Sequence, residues 1–397
     1  MVDAKGPKCV YFEGVRRRLT LLAAAALSAG AATGTAAALR ADDPLQSQQW
    51  YLAAVGADKS APPGPDVPVT LIDSGVDASQ PDLAGRPDTT YLNAQTVTGT
   101  GEFHGTEVAS VAAAPANGTG IVGIYPQAKL DVWDATPTAG TIDAATIAAG
   151  LAAAPCPGVI NLSFGATSRG QTVDGAVTAA QRRGCLVVAA AGNLAAQGNP
   201  VVYPAADLHV LAVGASDQSG DTATFSSTGP WVDLLAPGVG IEVDTTLEHD
   251  ASGNVKDSGT SFSAAMVAAA AAWVWTERPK LTAGQVATLL KGTAQNGVLN
   301  IAAALAAPTP VNDPLEPNDT MVEAAAQKPL RLPLRITGTL DAVKDPADFY
   351  KIALPKKKHV RLSVTGNVFA RMAGTYARVT LRPGATSARY TLSVKTG

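Results

Sequence analysis

Three residue types that could act together in nucleophilic catalysis stand at the ends of regular elements in this chain. Asp73 closes the apolar run VPVTLID, His104 opens the helical segment HGTEVASVAAA, and Ser261 opens an alanine-rich helix within GTSFSAAMVAAAAAWVW. An aspartate that orients an imidazole, which in turn removes the proton of a serine, is the apparatus of acyl transfer. Asn193, at the end of AAAGN, adds a side-chain amide that could stabilise an oxyanion together with the backbone N–H of Ser261.

Each of these residues, taken alone, also has a simpler explanation. A serine at a helix start can be an N-cap, because its oxygen accepts a hydrogen bond from the first turn, and the aspartate and the histidine can cap in the same way. The histidines are informative because the chain contains only four. His209 is expected inside an apolar strand as a core residue, His249 lies in an acidic loop, and His359 follows three lysines. Only His104 has the position that a catalytic base needs.

The elements that must position these residues follow an alternating pattern. Apolar runs rich in β-branched residues predict strands at 67–73, 128–135, 158–164, 185–191 and 209–215. Helical segments are predicted at 104–114, 141–154, 172–183 and 261–275. Continuous apolar strands that alternate with helices predict an α/β fold, a parallel sheet covered by helices on both faces. Ligands bind such sheets at the carboxyl ends of the strands, where Asp73, Ser163 and Asn193 stand.

The residues now carry a resemblance to a known family. The blocks VTLIDSGVD, HGTEVAS, NLSFG, AAAGN, FSSTGPWVDLLAPGV and GTSFSA resemble, in this order, the signature blocks of the subtilisin-like serine peptidases, or subtilases. The resemblance covers about residues 42–305, and the order Asp, His, Ser is that of the family. A chymotrypsin-like enzyme would have His before Asp, and an α/β-hydrolase would need G-x-S-x-G, which GTSFS lacks.

The resemblance implies a role for each residue. Ser261 corresponds to the nucleophile, His104 to the general base and Asp73 to the residue that orients it. Loss of the nucleophile or the base is then expected to lower turnover on the order of a million-fold, and loss of the oxyanion donor Asn193 about a hundred- to a thousand-fold. Both magnitudes are taken over from a subtilisin.

The family also implies where a substrate binds. A polypeptide would lie as an added, extended strand between two walls of the cleft. The first wall is Ser163, Phe164 and Gly165, and the second wall is Ala190, Ala191 and Gly192. The stretch AAAGNLAAQGNPVVYP carries no acidic residue, so we expect a broad preference for apolar or uncharged side chains.

Two positions depart from the family pattern. Ala265 stands where a proline is usual, and Phe103 stands where a glycine commonly precedes the histidine block. Alanine is the better helix former, so the helix after Ser261 is predicted to continue without a kink. Neither change removes a reacting group, and we expect them to affect efficiency more than activity.

Residues 1–41 are expected to be a cleaved signal peptide. A basic start at Arg16–Arg18 precedes an apolar stretch that ends in small residues at Ala36–Ala38, the pattern that signal peptidase recognises. An uncleaved membrane anchor over 19–39 is the alternative, and the paired arginines also allow a twin-arginine route. The protein is therefore predicted to be secreted or extracytoplasmic, outside the membrane after cleavage and anchored if the signal is kept.

Cysteine usage fits this compartment. Cys9 would leave with the signal, and Cys156 and Cys185 each precede a β-like run. If these runs are adjacent parallel strands, a disulfide between the two cysteines is geometrically reasonable, and two buried thiols are the alternative.

The chain is predicted to hold two folded domains after the signal. Residues 42–307 form the catalytic domain, and DPLQSQQWYL at 43–52 resembles the N-terminal arm of subtilases. Only 31 residues separate Ala41 from Asp73, so activity is expected without release of a folded propeptide. A proline-rich linker at 308–320 leads to a small antiparallel β domain at 321–397. EPNDT at the end of the linker, with ADFYKIALP and YTLSV in the domain, resembles the bacterial pre-peptidase C-terminal domain.

Composition limits the partners. With 46% hydrophobic and 16% charged residues, the chain can bury a large core, and no basic stripe with interleaved aromatics suggests nucleic acid. Residues 41–311 carry 24 acidic and 10 basic residues, whereas 312–397 carry 7 acidic and 14 basic residues. We therefore expect the basic tail to dock on the acidic catalytic domain, and the protein to be a monomer.

No cofactor is expected for the chemistry. Structural calcium is frequent in subtilases, but no segment here matches an identifiable calcium motif. Two other functions stay open at this stage: a catalytically silent, subtilase-shaped binding protein, and a signal-anchored processing peptidase of narrow specificity.

Overall fold

The computed structural model describes residues 10–11, 43–93, 102–136, 142–313, 315–354 and 359–396. The expected signal peptide, 1–41, lies outside the described residues except for the pair 10–11. Among the residues described, no helix has the length and apolar character that crossing a bilayer would require.

A parallel sheet of seven strands forms the centre of the larger part of the chain, in the order β3-β4-β2-β5-β7-β8-β9. The strands up to residue 257 are β1 (Val10–Tyr11), β2 (Val69–Asp73), β3 (Thr89–Tyr91), β4 (Leu130–Asp134), β5 (Gly158–Leu162), β6 (Phe164–Gly165), β7 (Cys185–Ala190), β8 (Leu211–Ser216), β9 (Leu234–Pro237), β10 (Ile241–Asp244) and β11 (Asn254–Asp257). The predicted α/β class is confirmed, and all five predicted runs contain strands of this sheet. Its two edge strands, β3 and β9, were not predicted.

Helices lie around the sheet, and several of them contact its strands. They are α1 (Trp50–Ala54), α2 (His104–Ala113), α3 (Ala144–Ala153), α4 (Gln171–Arg182), α5 (Thr260–Glu277), α6 (Ala283–Thr293) and α7 (Ile301–Ala306). Helix α5 is buried from Thr260 to Trp275 and contacts β5, β7, β8, β9 and α2. Its alanines allow this close approach, and the helix continues through Ala265 without a break, as predicted.

The C-terminal β domain has a core of its own. Its elements are α8 (Met321–Ala326), β12 (Leu334–Asp341), β13 (Ala347–Lys351), β14 (Val360–Thr365), β15 (Val368–Ala373), β16 (Tyr376–Leu381) and β17 (Ser387–Thr396). The strands form two antiparallel sheets of three, β12-β17-β14 and β13-β16-β15. Side chains from both sheets, among them Tyr350, Val379 and Leu392, form one apolar cluster. Strand β15 was not predicted.

The segment before the sheet is fastened to the larger part of the molecule. Gln49 Nε2 donates a hydrogen bond to the carbonyl of Val122 at 2.7 Å, and the Tyr51 hydroxyl donates to the carbonyl of Glu242 at 2.9 Å. These contacts attach residues 49–51 to the segments that contain Val122 and Glu242.

Candidate active site

Asp73 and His104 meet where β2 ends and α2 begins. The Nδ1 atom of His104 donates a hydrogen bond to Asp73 Oδ1 at 2.8 Å, and the backbone N–H of Ser74 donates to the same oxygen at 2.8 Å. Both side chains are buried, with Asp73 1% and His104 7% exposed. The aspartate therefore fixes the tautomer and the orientation of the imidazole.

The junction between β2 and α2 admits no side chain at Gly105. A Cβ atom at this position would lie 2.0 Å from the carbonyl oxygen of Gly75, and the Gly105 N–H donates to Ser74 Oγ at 3.0 Å. This contact holds the start of the helix on the end of the strand. Sequence reasoning assigned no role to Ser74, although its place beside Asp73 in IDSG was the available clue.

The charges around His104 favour its protonated form. Burial of the imidazole acts against the charge, but the negative charge of Asp73, its hydrogen bond, and the carboxylates of Glu107 and Asp257 outweigh burial. The pKa of His104 is therefore raised above the usual 6.5.

Ser261 lies in the first turn of α5, directly beside the first wall. Its hydroxyl donates to the carbonyl of Ser163 at 3.1 Å, and the Ser163 hydroxyl donates back to the carbonyl of Ser261 at 3.0 Å. Gly259, and not Ser261, occupies the N-cap position, so the capping explanation of this serine is wrong. The next residue, Phe262, has its ring 6.4 Å from the ring of His104, which brings the start of α5 to the imidazole.

Asn193 is held by Thr260, which precedes the serine. The N–H and the hydroxyl of Thr260 both donate to Asn193 Oδ1, at 3.0 and 2.9 Å. A backbone N–H can only donate, so the atom that faces it must be the amide oxygen, and the Nδ2 group points away from Thr260. Sequence reasoning assigned no role to Thr260.

The two walls differ in how their backbones are bonded. In the first wall, β6 pairs antiparallel with β1, so that Val10 lies opposite Gly165 and Tyr11 opposite Phe164. In the second wall, β7 ends at Ala190, and the N–H of Ala191 donates to the Val213 carbonyl at 2.8 Å. The N–H of Gly192 donates to Thr260 Oγ1 at 3.1 Å, and its carbonyl accepts from the Ser227 N–H at 2.7 Å. The first wall therefore pairs with a short antiparallel segment, whereas Ala190 of the second wall belongs to the central sheet and pairs with β8.

Comparison with known proteins identifies the family. The sequence profile described as the Subtilase family matches residues 64–313. The chain belongs to the subtilase family. It is 36% identical over 254 residues to subtilisin Savinase of Lederbergia lenta, a match that covers 63% of this chain and 92% of that protein. It is also 36% identical over 254 residues to an alkaline protease of Alkalihalobacillus alcalophilus, which covers 63% of this chain and 65% of that protein.

Solved structures agree with this assignment. A cold-adapted subtilisin-like serine proteinase superposes with a TM-score of 0.51 at 26% identity, over 59% of this chain and 88% of that one. Fervidolysin from Fervidobacterium pennivorans, a keratinolytic enzyme related to subtilisin, matches in fold with a TM-score of 0.59 at 24% identity, over 88% of this chain and 54% of that one. The protein is a subtilisin-like serine endopeptidase, and its family implies polypeptide substrates.

In this subtilase Cys156 and Cys185 are joined by a disulfide, with their Cα atoms 5.0 Å apart. Cys185 is the first residue of β7, and Asn193 follows the other end of the strand. The bridge therefore lies at the amino end of the sheet, and the candidate catalytic residues lie at its carboxyl end.

Phe103, one of the two departures from the family pattern, has a partner in the subtilase. Its ring stacks on the ring of His249 at a centroid distance of 3.7 Å and an interplanar angle of 19°. The acidic loop that contains His249 is thus held against the residue that precedes His104.

The subtilase also has a group of side chains that could hold a metal ion. The acidic cluster comprises Asp313, Glu316, Asp319, Asp345 and Asp348. Donor atoms of Asp313, Glu316 and Asp348 lie within 4.8 Å of one another, and so do those of His209, Glu316 and Asp345. Burial and the neighbouring carboxylates raise the pKa of Asp345 to about 10. Sequence reasoning treated NDPLEPND as turn formers of a linker and EPNDT as part of a domain resemblance, and it assigned no metal to their acidic residues, which were the available clue.

Proposed function

We propose that Ser261, His104 and Asp73 form a catalytic triad that hydrolyses peptide bonds through an acyl-enzyme. The observation that carries the proposal is the 2.8 Å hydrogen bond between the buried Asp73 and His104. A carboxylate in this position fixes the imidazole tautomer in which Nε2 accepts a proton and stabilises the imidazolium that follows. The start of α5 presents Ser261 beside this pair.

The reaction proceeds in two halves. Ser261 Oγ gives up its hydrogen bond to Ser163, transfers its proton to His104 Nε2 and attacks the scissile carbonyl carbon. His104 then donates this proton to the leaving amine as the C–N bond breaks, which leaves an ester on Ser261. A water molecule then loses a proton to the same nitrogen and attacks the ester. His104 returns this proton to Ser261 Oγ as the acid product leaves.

Asn193 Nδ2 and the backbone N–H of Ser261 stabilise the oxyanion that forms in each half. The support for this role is the orientation of the Asn193 amide, because Thr260 holds its oxygen and turns the nitrogen away. A donor fixed before the reaction stabilises the developing charge without having to reorganise.

The substrate binds as an extended strand on the first wall. The pairing of Val10–Tyr11 with Phe164–Gly165 supports this, because it shows that the edge of β6 accepts an antiparallel segment. Removal of a leader that contains residues 10–11 would vacate this edge. In the second wall the N–H and the carbonyl of Gly192 are already bonded to Thr260 and Ser227, so the pairing proposed here is with the first wall.

The finer organisation of the protein follows from its two apolar cores. We propose that 42–307 is an exported, monomeric catalytic domain, that 308–320 is a linker, and that 321–397 is a domain of the pre-peptidase C-terminal type. The separate clusters of buried apolar residues support the division. The disulfide supports export, because such bridges persist in oxidising compartments.

A structural divalent cation, calcium by the chemistry of the ligands, binds the acidic cluster. Asp345 is 9% exposed, and its Oδ1 accepts no hydrogen bond; the same is true of Oδ1 of Asp313 and of Asp319. Carboxylate oxygens are the ligands that calcium prefers. Chelation is expected to lower the melting temperature, and added calcium to restore it. Asp345→Asn should abolish this response, whereas the exposed Asp221→Asn should retain it.

The triad is tested by labelling residues 42–397 with a fluorophosphonate probe and by hydrolysis of casein. Wild type should label and cleave, Ser261→Ala should do neither, and Asn193→Ala should keep its fold but lose about a hundred-fold or more in turnover. Failure of the folded wild type to label would overturn the triad and favour a catalytically silent binding protein. Labelling without cleavage of casein would instead point to a narrow processing role.

A further inference from the structure

A lysine of the C-terminal β domain is buried in the catalytic domain. Lys344 lies in the turn between β12 and β13, and it is only 5% exposed. Its ammonium group donates to the carbonyls of Ala205 at 2.5 Å, Asp207 at 3.1 Å and Val210 at 3.0 Å. These three acceptors match the three donors of an ammonium group. A neutral side chain at this position would leave buried carbonyls without the donors they now have.

His209 lies in the 203–210 segment, which contains these three carbonyls, and it connects this segment to the C-terminal β domain a second time. Its backbone N–H donates to the carbonyl of Lys344 at 3.4 Å, and its Nε2 lies 2.6 Å from Asp319 Oδ2. His209 has a φ of 56°, which is uncommon for a residue with a side chain and persists where surrounding contacts fix it. The prediction of His209 as a core strand residue is wrong, because β8 begins only at Leu211.

The 203–210 segment also contacts the residues that directly follow the first wall. Tyr203 and Ala166 exchange both backbone hydrogen bonds, at 2.9 and 2.8 Å, and Ala166 directly follows β6. Asp207 Oδ1 lies 2.9 Å from the Nε atom of Arg169, which follows Ala166 by three residues. The 203–210 segment thus lies between Lys344 and the strand on which the substrate is proposed to pair.

We propose that Lys344 is a positioning residue for the substrate cleft, because its ammonium group fixes the 203–210 segment that supports the first wall. The C-terminal β domain thereby contributes to the binding of extended peptides without contact to the reacting atoms. This inference rests on the proposed function, which assigns the wall to substrate binding. Closely packed protein interiors transmit such displacements, so release of the segment shifts the wall.

Lys344→Met keeps the length of the side chain and removes the donors. The KM for an extended fluorogenic peptide should rise about tenfold, the scale of a small misplacement in a binding site, while kcat stays within about twofold. Hydrolysis of p-nitrophenyl acetate and the rate of fluorophosphonate labelling should not change, because they need the triad but not the wall. Lys328→Met, on the exposed surface of the same domain, is the matched control, with calcium held constant throughout.

Arg169→Met tests the link to the first wall, and because this side chain is half-exposed, the variant is expected to fold. It should also raise the KM for the peptide, and it decides the question if Lys344→Met does not fold. Wild-type KM in the folded variants would overturn the inference. An equal loss of peptide and ester hydrolysis in Lys344→Met would overturn it as well, by showing a general structural defect. A wild type that neither labels nor cleaves would instead refute the proposed function.

Discussion

At the scale of single residues, the charges around His104 determine the pH dependence. The base must be neutral to accept a proton, and its pKa is raised above 6.5. The kcat/KM is therefore expected to rise with pH through a midpoint above 6.5. Asp257→Asn removes a negative charge that favours the imidazolium, so the pKa of His104 should fall and the midpoint should move to lower pH.

The measurement is a pH profile of kcat/KM for wild type and Asp257→Asn. Asp250→Asn is the matched control, because it changes an acidic residue that holds Ser252 in the neighbouring loop and is not among the groups that raise the pKa of His104. An acid limb that moves to higher pH in Asp257→Asn would contradict the assignment of His104 as the base.

Thr260 has no reacting atom, but it is expected to affect the rate because it holds Asn193. Thr260→Val keeps the shape of the side chain and removes the hydroxyl that holds both Asn193 and Gly192. The kcat is expected to fall about tenfold, less than for loss of the oxyanion donor itself, with little change in KM. Thr276→Val, near the other end of α5, removes the hydroxyl that accepts from the Val67 N–H and should leave kcat unchanged. Equal kcat in Thr260→Val and wild type would refute this role.

At the scale of elements, the sequence predicted what depends on continuous apolar runs and on motif order. Strands buried on both faces, such as β5 and β7, are recognisable because they are almost entirely apolar, with Asn161 in β5 as the one polar residue of the two. The edge strand β3 was missed because it is short and exposed, with the polar sequence TTY. The acidic cluster was missed because its residues come together only when the 313–319 and 345–348 segments meet in the folded chain.

Replacement of two glycines by alanine is predicted to change stability in opposite directions. Gly105 lies at the junction of β2 and α2, and Gly175 lies in α4. Gly105→Ala forces a Cβ to within 2.0 Å of the Gly75 carbonyl, so stability should fall by about 1–3 kcal/mol and kcat/KM by about a hundred-fold. Gly175→Ala in α4 meets nothing within 4 Å and should gain up to about 1 kcal/mol. Urea unfolding and peptide hydrolysis measure both effects. Wild-type activity in Gly105→Ala would show that the strand and the helix can separate without loss of the site.

The disulfide is expected to contribute to the free energy of unfolding and not to kcat/KM. It closes a loop with a sequence separation of 29, for which chain entropy gives about 3.5 kcal/mol. The double change Cys156→Ser, Cys185→Ser should lower the free energy of unfolding by about 3 kcal/mol and leave kcat/KM unchanged, because the bridge lies at the opposite end of the sheet. Dithiothreitol should lower the melting temperature of wild type only. A loss of kcat/KM in the folded double variant would mean that the bridge positions the site.

At the scale of the whole molecule, buried polar contacts lie at the junction of the two domains. The basic character of 312–397 suggested docking through long-range attraction to the acidic catalytic domain. In the structure the junction places Lys344 among backbone carbonyls and 3.9 Å from Asp233 Oδ2, and it places the acidic Asp319 of the tail against His209. Through Lys344 and Asp319 the tail thus contributes one positive and one negative side chain to the junction, and both are buried.

This arrangement predicts that docking is insensitive to salt. The Debye length falls to about 3 Å at about 1 M salt, which screens exposed charges and affects buried contacts little. The melting temperature in calorimetry should therefore be nearly the same at about 0.05 M and about 1 M sodium chloride with calcium fixed, whereas Lys344→Met should lower it at both. The contrary outcome is that high salt splits the thermal unfolding transition of wild type into two. That result would mean that exposed charges hold the domains together, and that Lys344 positions the cleft only at low salt.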